Sequence, residues 1–271
     1  MPQPKNAMEI FRHLDKSNCR ECREKTCLAF AGAVFIGQRK LDECPQLDRE
    51  TIDRLSGESE NQTAVEPERG EYLQDLKNKV ANLDLAAAAQ RIGARFSDGK
   101  LMLKVLGKDF SVDEKGNLSS DIHINAWVVI PLLNYVLYAQ GLPVTGNWVS
   151  LRELKEGTER YPLFKRRCED PMKRVADTYT GLFDDMVHVL SGKQVEKQFK
   201  SDISVILYPL PKVPVMVCYW SPEEGLESSL NIFFDETTDK NLDINSVFTL
   251  GVGLTQMFQK IALRHGFPED V

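Results

Sequence analysis

The chain lacks any apolar run long enough to cross a bilayer. Its most apolar stretch, Ala126 to Ala139, is interrupted by Pro131 and Asn134 and falls short of the ~20 residues a membrane-spanning helix requires. An apolar leader is missing at the start as well. The expectation is a cytoplasmic protein with no membrane span and a buried core helix near 126–140. Positive charge is not in excess either: a formal net charge of −6 leaves no global field favouring nucleic acid or an anionic membrane. Lys165-Arg166-Arg167 and Arg39-Lys40 are short, flanked by acids, and read as solvated helix faces rather than a phosphate track. No Walker A loop, dinucleotide-type G-x-G-x-x-G or G-x-S-x-G occurs, and Gly251-Val252-Gly253-Leu254 falls inside an amphipathic helix pattern. ATP- or NAD-dependent chemistry therefore has no support. Internal repeats are absent too.

What is present is a chain of 271 residues, enough for one large domain and a small one. Its six cysteines are unevenly spread. Cys19, Cys22, Cys27 and Cys44 fall within 26 residues, while Cys168 and Cys218 are isolated and read as ordinary thiols. A secreted disulfide framework would distribute its pairs, so the clustering points to metal ligation. The spacing is C-x2-C-x4-C-x16-C, with Pro45 directly after the last cysteine. A cubane presents four iron corners, each needing a thiolate. One short loop can wrap three corners, and a distant cysteine must return to close the fourth. The alternative is a structural zinc site, which usually pairs two short C-x2–4-C knuckles; Cys27 and Cys44, sixteen residues apart, form no second knuckle. The expected ligands of one 4Fe–4S cluster are thus Cys19, Cys22, Cys27 and Cys44. A helix starting at Cys27 would aim backbone N–H groups at the cluster, and Arg20, Arg23 and Lys25 would offset part of its negative charge.

The expected fold class is α+β: a small helical 4Fe–4S domain (1–50), a polar, acidic linker (51–71) and a larger mixed α+β domain with an antiparallel sheet (72–271). In the small domain, Asn6-Ala7-Met8-Glu9 resembles a capping box, Ile10, Phe11 and Leu14 give a short helix an apolar face, and Arg39 and Lys40 suit the C-terminal dipole of the helix after Cys27. The linker would let the small domain move between donor and acceptor. In the larger domain, helices are expected from Tyr72 to Phe96 and over 159–190, and a hairpin from Leu101 to Val112 turning at Gly107. Ser150 and Glu153 cap a further helix after a turn at Gly146. Strands follow at Ile203–Leu207, Val213–Tyr219 and Leu230–Asp235, the first two held to edges or strand ends by Pro209, Pro211 and Pro214. A last helix runs through Val247, Leu250, Leu254, Phe258 and Ile261 to Arg264-His265-Gly266.

Residues 6–48 resemble the small 4Fe–4S domain of the corrinoid iron–sulfur protein large subunit, also found in the B subunit of Rnf electron-transport complexes. The resemblance is carried by Asn18-Cys19, Cys22, Lys25-Thr26-Cys27-Leu28-Ala29-Phe30-Ala31 and Cys44-Pro45. Members of those families often have glycine just after the first two cysteines, where this chain has Arg20 and Arg23. The resemblance implies transfer of single low-potential electrons and a corrinoid as the linked centre. Residues 84–261 resemble a domain of unknown function, DUF3786, through Gly146 to Leu154, Pro211-Lys212-Val213-Pro214 with Tyr219-Trp220, and Phe233-Phe234-Asp235. That likeness implies no reaction.

Other candidates have plainer readings. Trp148, Arg152 and Glu153 could line a pocket, but a packed tryptophan before a capped helix explains them. Asp235-Glu236 could act as acids or bases at a strand end, though a turn suffices. Asp202, Trp220 and Asp235 would converge if their strands were neighbours. His188, in Asp185 to Gly192, approaches the D-x-H-x-x-G box of some cobalamin domains at the wrong spacing, and reads as a packed or surface histidine. No catalytic residue is assigned. The leading expectation is an electron-transfer protein fed by a ferredoxin-like donor, serving a corrinoid protein or methyltransferase. An enzyme of corrinoid-linked methyl or one-carbon transfer and a redox-responsive accessory protein are the alternatives.

Overall fold

A computed structural model describes residues 7–35, 39, 41–48, 51–52, 60–179 and 181–266, with backbone alone at 60–69. Asn6 of the expected capping box and Lys40 lie outside the described residues. The chain divides into two compact units, Met1–Tyr72 and Leu73–Val271.

The first unit holds α1 (Ala7–His13), α2 (Cys27–Phe35) and a 3-10 turn (Leu41–Glu43). Ile10 and Leu14 of the first helical stretch bury with Phe30, Ala31, Leu41 and Leu47, and the core they form also contains Cys22, Cys27 and Cys44. So small an apolar core gives little stability by itself, and units of this size usually need a metal or disulfide staple. Residues 60–71, within the stretch read as linker, are helical: α3 runs from Glu60 to Ala81. Its polar sequence shows no apolar period, and its last turns bury Leu76 and Val80.

The second unit is α+β with two antiparallel sheets. Asp84 caps α4 (Leu85–Ile92) by accepting from Ala86 and Ala87 N–H groups at 3.0 Å, and Gly93 ends it at φ +75°. The chain then turns into β1 (Arg95–Ser97), so Phe96 lies in a strand and not at the end of a helix. β1, β2 (Lys100–Val105), β3 (Lys108–Asp113) and β4 (Leu118–Ser120) form a meander. The β2–β3 turn, Leu106-Gly107, has φ +48° and +75°, the paired left-handed residues of a tight hairpin.

After α5 (Ala126–Tyr138), the second sheet has the order β5-β9-β8-β7-β6: β5 (Trp148–Ser150), β6 (Lys193–Gln194), β7 (Ile203–Leu210), β8 (Val213–Trp220) and β9 (Ser229–Asp235). The prolines do not hold β7 and β8 to an edge; both strands are central. Pro209 falls where the β7–β8 register shifts between Leu207 and Leu210, and Pro214 is the second residue of β8, so the missing N–H groups cluster at the hairpin end. Between β5 and β6 come a 3-10 turn (Leu151–Glu153), α6 (Gly157–Phe164), a π turn (Lys165–Glu169), α7 (Asp170–Thr178) and α8 (Leu182–His188). The helix expected after Ser150 is thus a single turn, in which the Ser150 N–H donates to Glu153 Oε2 at 2.7 Å. α9 (Thr238–Asn241) is followed by α10 (Ile244–Arg264), which buries Val247, Leu250, Leu254 and Phe258 as expected of its period. A Cβ on Gly253 would stand 2.1 Å from the Trp127 ring, so that glycine serves close helix packing and not a nucleotide loop. No helix among the described residues is long and apolar enough to cross a membrane.

Candidate metal centre

Cys19, Cys22, Cys27 and Cys44 line one small cavity of the first unit, about 10 Å3 in volume. Leu14, Asn18, Thr26 and Phe30 complete much of its wall. Cys22, Cys27 and Cys44 are buried, at 7–8% exposure, and Cys19 is exposed. Burial pushes the Cys44 thiol above its ordinary range, and Cys22 and Cys19 push it further, against backbone hydrogen bonds from Gln46 and Leu47. That mutual repulsion among sulfurs is what a bound cation would relieve. Among the described residues no group of three or more His, Cys, Asp or Glu side chains is placed to hold a single metal ion.

Local sequence explains the loop. Thr26 caps α2: its Oγ1 accepts from the Ala29 N–H at 3.0 Å and its carbonyl from the Phe30 N–H at 3.0 Å. Asn18 Oδ1 accepts from the Cys27 N–H at 2.8 Å, while the Asn18 N–H donates to Cys27 Sγ at 3.4 Å. Two of the first three α2 donors, those of Cys27 and Ala29, are therefore taken by side-chain oxygens, and the expected fan of free N–H groups is reduced. Lys16, Asn18, Arg20 and Arg23 have φ of +53° to +65°, four of the ten described non-glycine residues in that region. Arg20 and Arg23 thus keep the left-handed backbone that glycine adopts freely, so the loop path survives the substitution at a cost in strain.

Arg39 does more than serve the helix dipole. Its backbone N–H donates to the Ala33 carbonyl at 3.2 Å. Its guanidinium joins Glu24 on the loop (3.3 Å) to Glu43 on the returning turn (2.8 Å), which ties the segment bearing Cys44 to the loop bearing the other three cysteines.

A family model described as a domain of unknown function, DUF3786, matches residues 84–257, well over half of the chain. The chain belongs to the DUF3786 family. A second model, described as "Putative Fe-S cluster", matches residues 14–46 and supports an iron–sulfur cofactor in the unit ahead of the DUF3786 domain. The chain is 34% identical over 70 residues to the acetyl-CoA decarbonylase/synthase complex subunit gamma of Methanothermobacter thermautotrophicus, covering 25% of this chain and 15% of that protein. It is 43% identical over 53 residues to the corrinoid/iron-sulfur protein large subunit of Moorella thermoacetica, covering 18% of this chain and 12% of that protein. The chain therefore spans only about an eighth of these curated relatives. No solved structure is a significant match.

The other candidates within the DUF3786 domain fall into two places: Asp202 beside Trp220, and Trp148 beside Asp235 and Glu236. Asp235 lies at the opposite end of β9 from Ser229, the partner of Trp220, so Asp202, Trp220 and Asp235 do not converge. Asp202 instead accepts from the Ser221 N–H at 2.8 Å. Asp235 is fully buried and accepts from the Thr145 and Gly146 N–H groups (2.9 and 2.7 Å) and from Thr237 Oγ1 (2.6 Å). Burial works to raise its pKa, and the bonds from Thr237, Gly146 and Thr145 overcome that and lower it. It is a loop organiser. Trp148 pairs with Asp235 in the β5–β9 ladder, and Glu236 accepts from Asn147 Nδ2 at 2.8 Å. Arg152 stacks 3.9 Å over the Tyr161 ring. His188 is exposed at the end of α8. Cys168 and Cys218 are buried, and burial pushes Cys168 up to about 12.

Sequence reasoning missed Glu169. It is buried in the π turn, accepting from Tyr161 Oη (2.9 Å) and from the Ile232 N–H (3.0 Å), and burial raises its pKa. Nothing in its local pattern marks it, because its partners lie on other elements.

Proposed function

We propose that Cys19, Cys22, Cys27 and Cys44 hold one 4Fe–4S cluster through which the protein passes single electrons. The four cysteines around one cavity carry this reading. A cluster bound there supplies one-electron redox chemistry at a thiolate-ligated centre. The chain's own residues position it: Asn18 and Thr26 fix Cys27, Arg39 ties the Cys44 turn to the loop, and Leu14 and Phe30 exclude water. The electron comes from a ferredoxin-like donor and goes to a centre on the DUF3786 domain or on a partner. A corrinoid in one-carbon metabolism is the favoured acceptor. It is suggested by the similarity to the corrinoid/iron-sulfur protein large subunit, which covers only a small part of this chain.

Anaerobic purification with iron, sulfide and zinc analysis tests this first. The expected result is about four irons per chain, visible charge-transfer absorbance, and a cubane EPR signal on one-electron reduction. Zinc without iron would end the proposal. A corrin absorption band in the purified or reconstituted protein would locate the acceptor here. Its appearance only in a co-purifying partner would move the acceptor there.

A further inference from the structure

The distribution of burial and charge around the cysteines is one-sided. Cys22, Cys27 and Cys44 are closed into the core while Cys19 reaches the surface. Arg20 lines the same cavity as Cys19, Arg23 and Lys25 are exposed on the same loop, and the three form no ion pair among the described residues. Lys16 is exposed too, with its ammonium 5.7 Å from the Phe11 ring. The opposing acids of this loop are Asp15, Glu21 and Glu24, and Glu24 is already engaged by Arg39. Four cations thus share this loop with three acids, of which Glu24 is held by Arg39 and Glu21 accepts from Gln46 Nε2 at 3.4 Å, on a chain whose net charge is −6. Two of the cations, Arg20 and Arg23, occupy backbone at φ +65° where glycine would be unstrained. Strain retained at a surface position calls for a function of the side chain, since folding alone does not favour it.

We propose that the Cys19 face is the electron-exchange surface, and that Arg20, Arg23 and Lys25 dock an acidic one-electron carrier protein. This rests on the cluster reading above and names the partner's chemistry. An oxidised cubane with four thiolates carries about −2, so an acidic carrier approaching it on an acidic chain meets repulsion. Surface cations between the two remove that repulsion at the one edge where a sulfur is exposed, and they raise the encounter rate. In the step itself one electron leaves the reduced carrier and enters the cluster through the Cys19 edge. The carrier is oxidised by one, the cluster is reduced by one, and no bond or proton changes.

The test uses the full-length, iron-loaded protein under anaerobic conditions. An acidic bacterial-type ferredoxin is the probe, a basic c-type cytochrome the contrast, and both association constant and stopped-flow electron-transfer rate are read. For the ferredoxin both should fall about tenfold as ionic strength rises from about 20 to 200 mM, with the opposite trend for the cytochrome. The triple variant Arg20→Gln, Arg23→Gln, Lys25→Gln should bind the ferredoxin about tenfold more weakly at low salt and lose most of the salt slope. Should the triple variant lose iron, the wild-type slope and the charge-keeping pair Arg20→Lys and Arg23→Lys decide the matter. A ferredoxin rate that rises with salt, or lysine variants that behave unlike wild type, overturns the proposal. Retained iron and EPR signal with unchanged affinity and slope in the triple variant also overturns the docking face and leaves the cluster reading standing. Absence of iron from the wild type overturns that reading itself.

Discussion

Replacing Arg20 and Arg23 together by glycine separates backbone strain from charge. Each arginine sits at φ +65°, a conformation that costs an L-residue roughly 1–2 kcal/mol. Glycine removes that cost but loses more freedom on folding, which offsets about 0.5–1 kcal/mol. The double variant should therefore gain about 1–2 kcal/mol of local stability. The amides that report it are the Arg23 N–H, bonded to the Arg20 carbonyl at 3.0 Å, and the Cys27 N–H, bonded to Asn18 at 2.8 Å. Hydrogen exchange followed by mass spectrometry over residues 18–30 of the iron-loaded protein should slow by about 5- to 30-fold. The same variant should shift the cluster potential downward by tens of millivolts, because two cations that stabilise the reduced, more negative state are gone. Stability and potential thus move in opposite directions. Exchange that stays the same or quickens in the glycine variant would refute the strain argument, whatever the potential does.

Alanine at Cys19, Cys22, Cys27 or Cys44 should abolish stoichiometric iron, whereas Cys168→Ala and Cys218→Ala should leave iron content unchanged. Removing the metal by chelation should melt the helical signal of the first unit, whose core is partly built from cysteines, and leave the near-ultraviolet spectrum of the second intact. Glu169→Ala should cost about 2–4 kcal/mol by stranding the Ile232 N–H and Tyr161 Oη. Glu169→Gln should cost far less and abolish a pH effect. The raised carboxyl pKa means the folded state holds its proton longer, so wild-type stability relative to Gln should fall as pH rises from the ordinary glutamate range. The sign is reversed for Asp235, whose folded pKa is lowered. Its contribution is complete above the ordinary aspartate range and is lost as pH falls through the depressed value, so the stability gap between wild type and Asp235→Asn should narrow as the pH of the melt is lowered from 7.

Ligand spacing, helix periods and the β2–β3 turn were legible because each is written within one short stretch. The cap on Cys27 was half legible: Thr26 stands at cap spacing, but Asn18 reaches it from nine residues away. The polar, acidic composition of 60–71 suggests a linker, yet those residues continue into a helix whose C-terminal turns bury Leu76 and Val80. The buried residues lie beyond the stretch whose composition is polar, so composition reported its lack of an apolar face and not its backbone. The prolines of β7 and β8 were informative about local hydrogen bonding and misleading about strand order, because a missing N–H is tolerated in a central strand where the register already breaks.

By itself the sequence determined the cysteine set, the α+β class and the main helices and strands, since spacing, period and turn chemistry act over a few residues. Only the tertiary structure decided which strand is central, that Asp235 organises a loop far from Trp220, and that Glu169 is buried against a strand. It also showed that three cysteines are enclosed while the fourth is exposed. Those outcomes depend on contacts between residues distant in the chain, whose desolvation and hydrogen bonding no local pattern encodes.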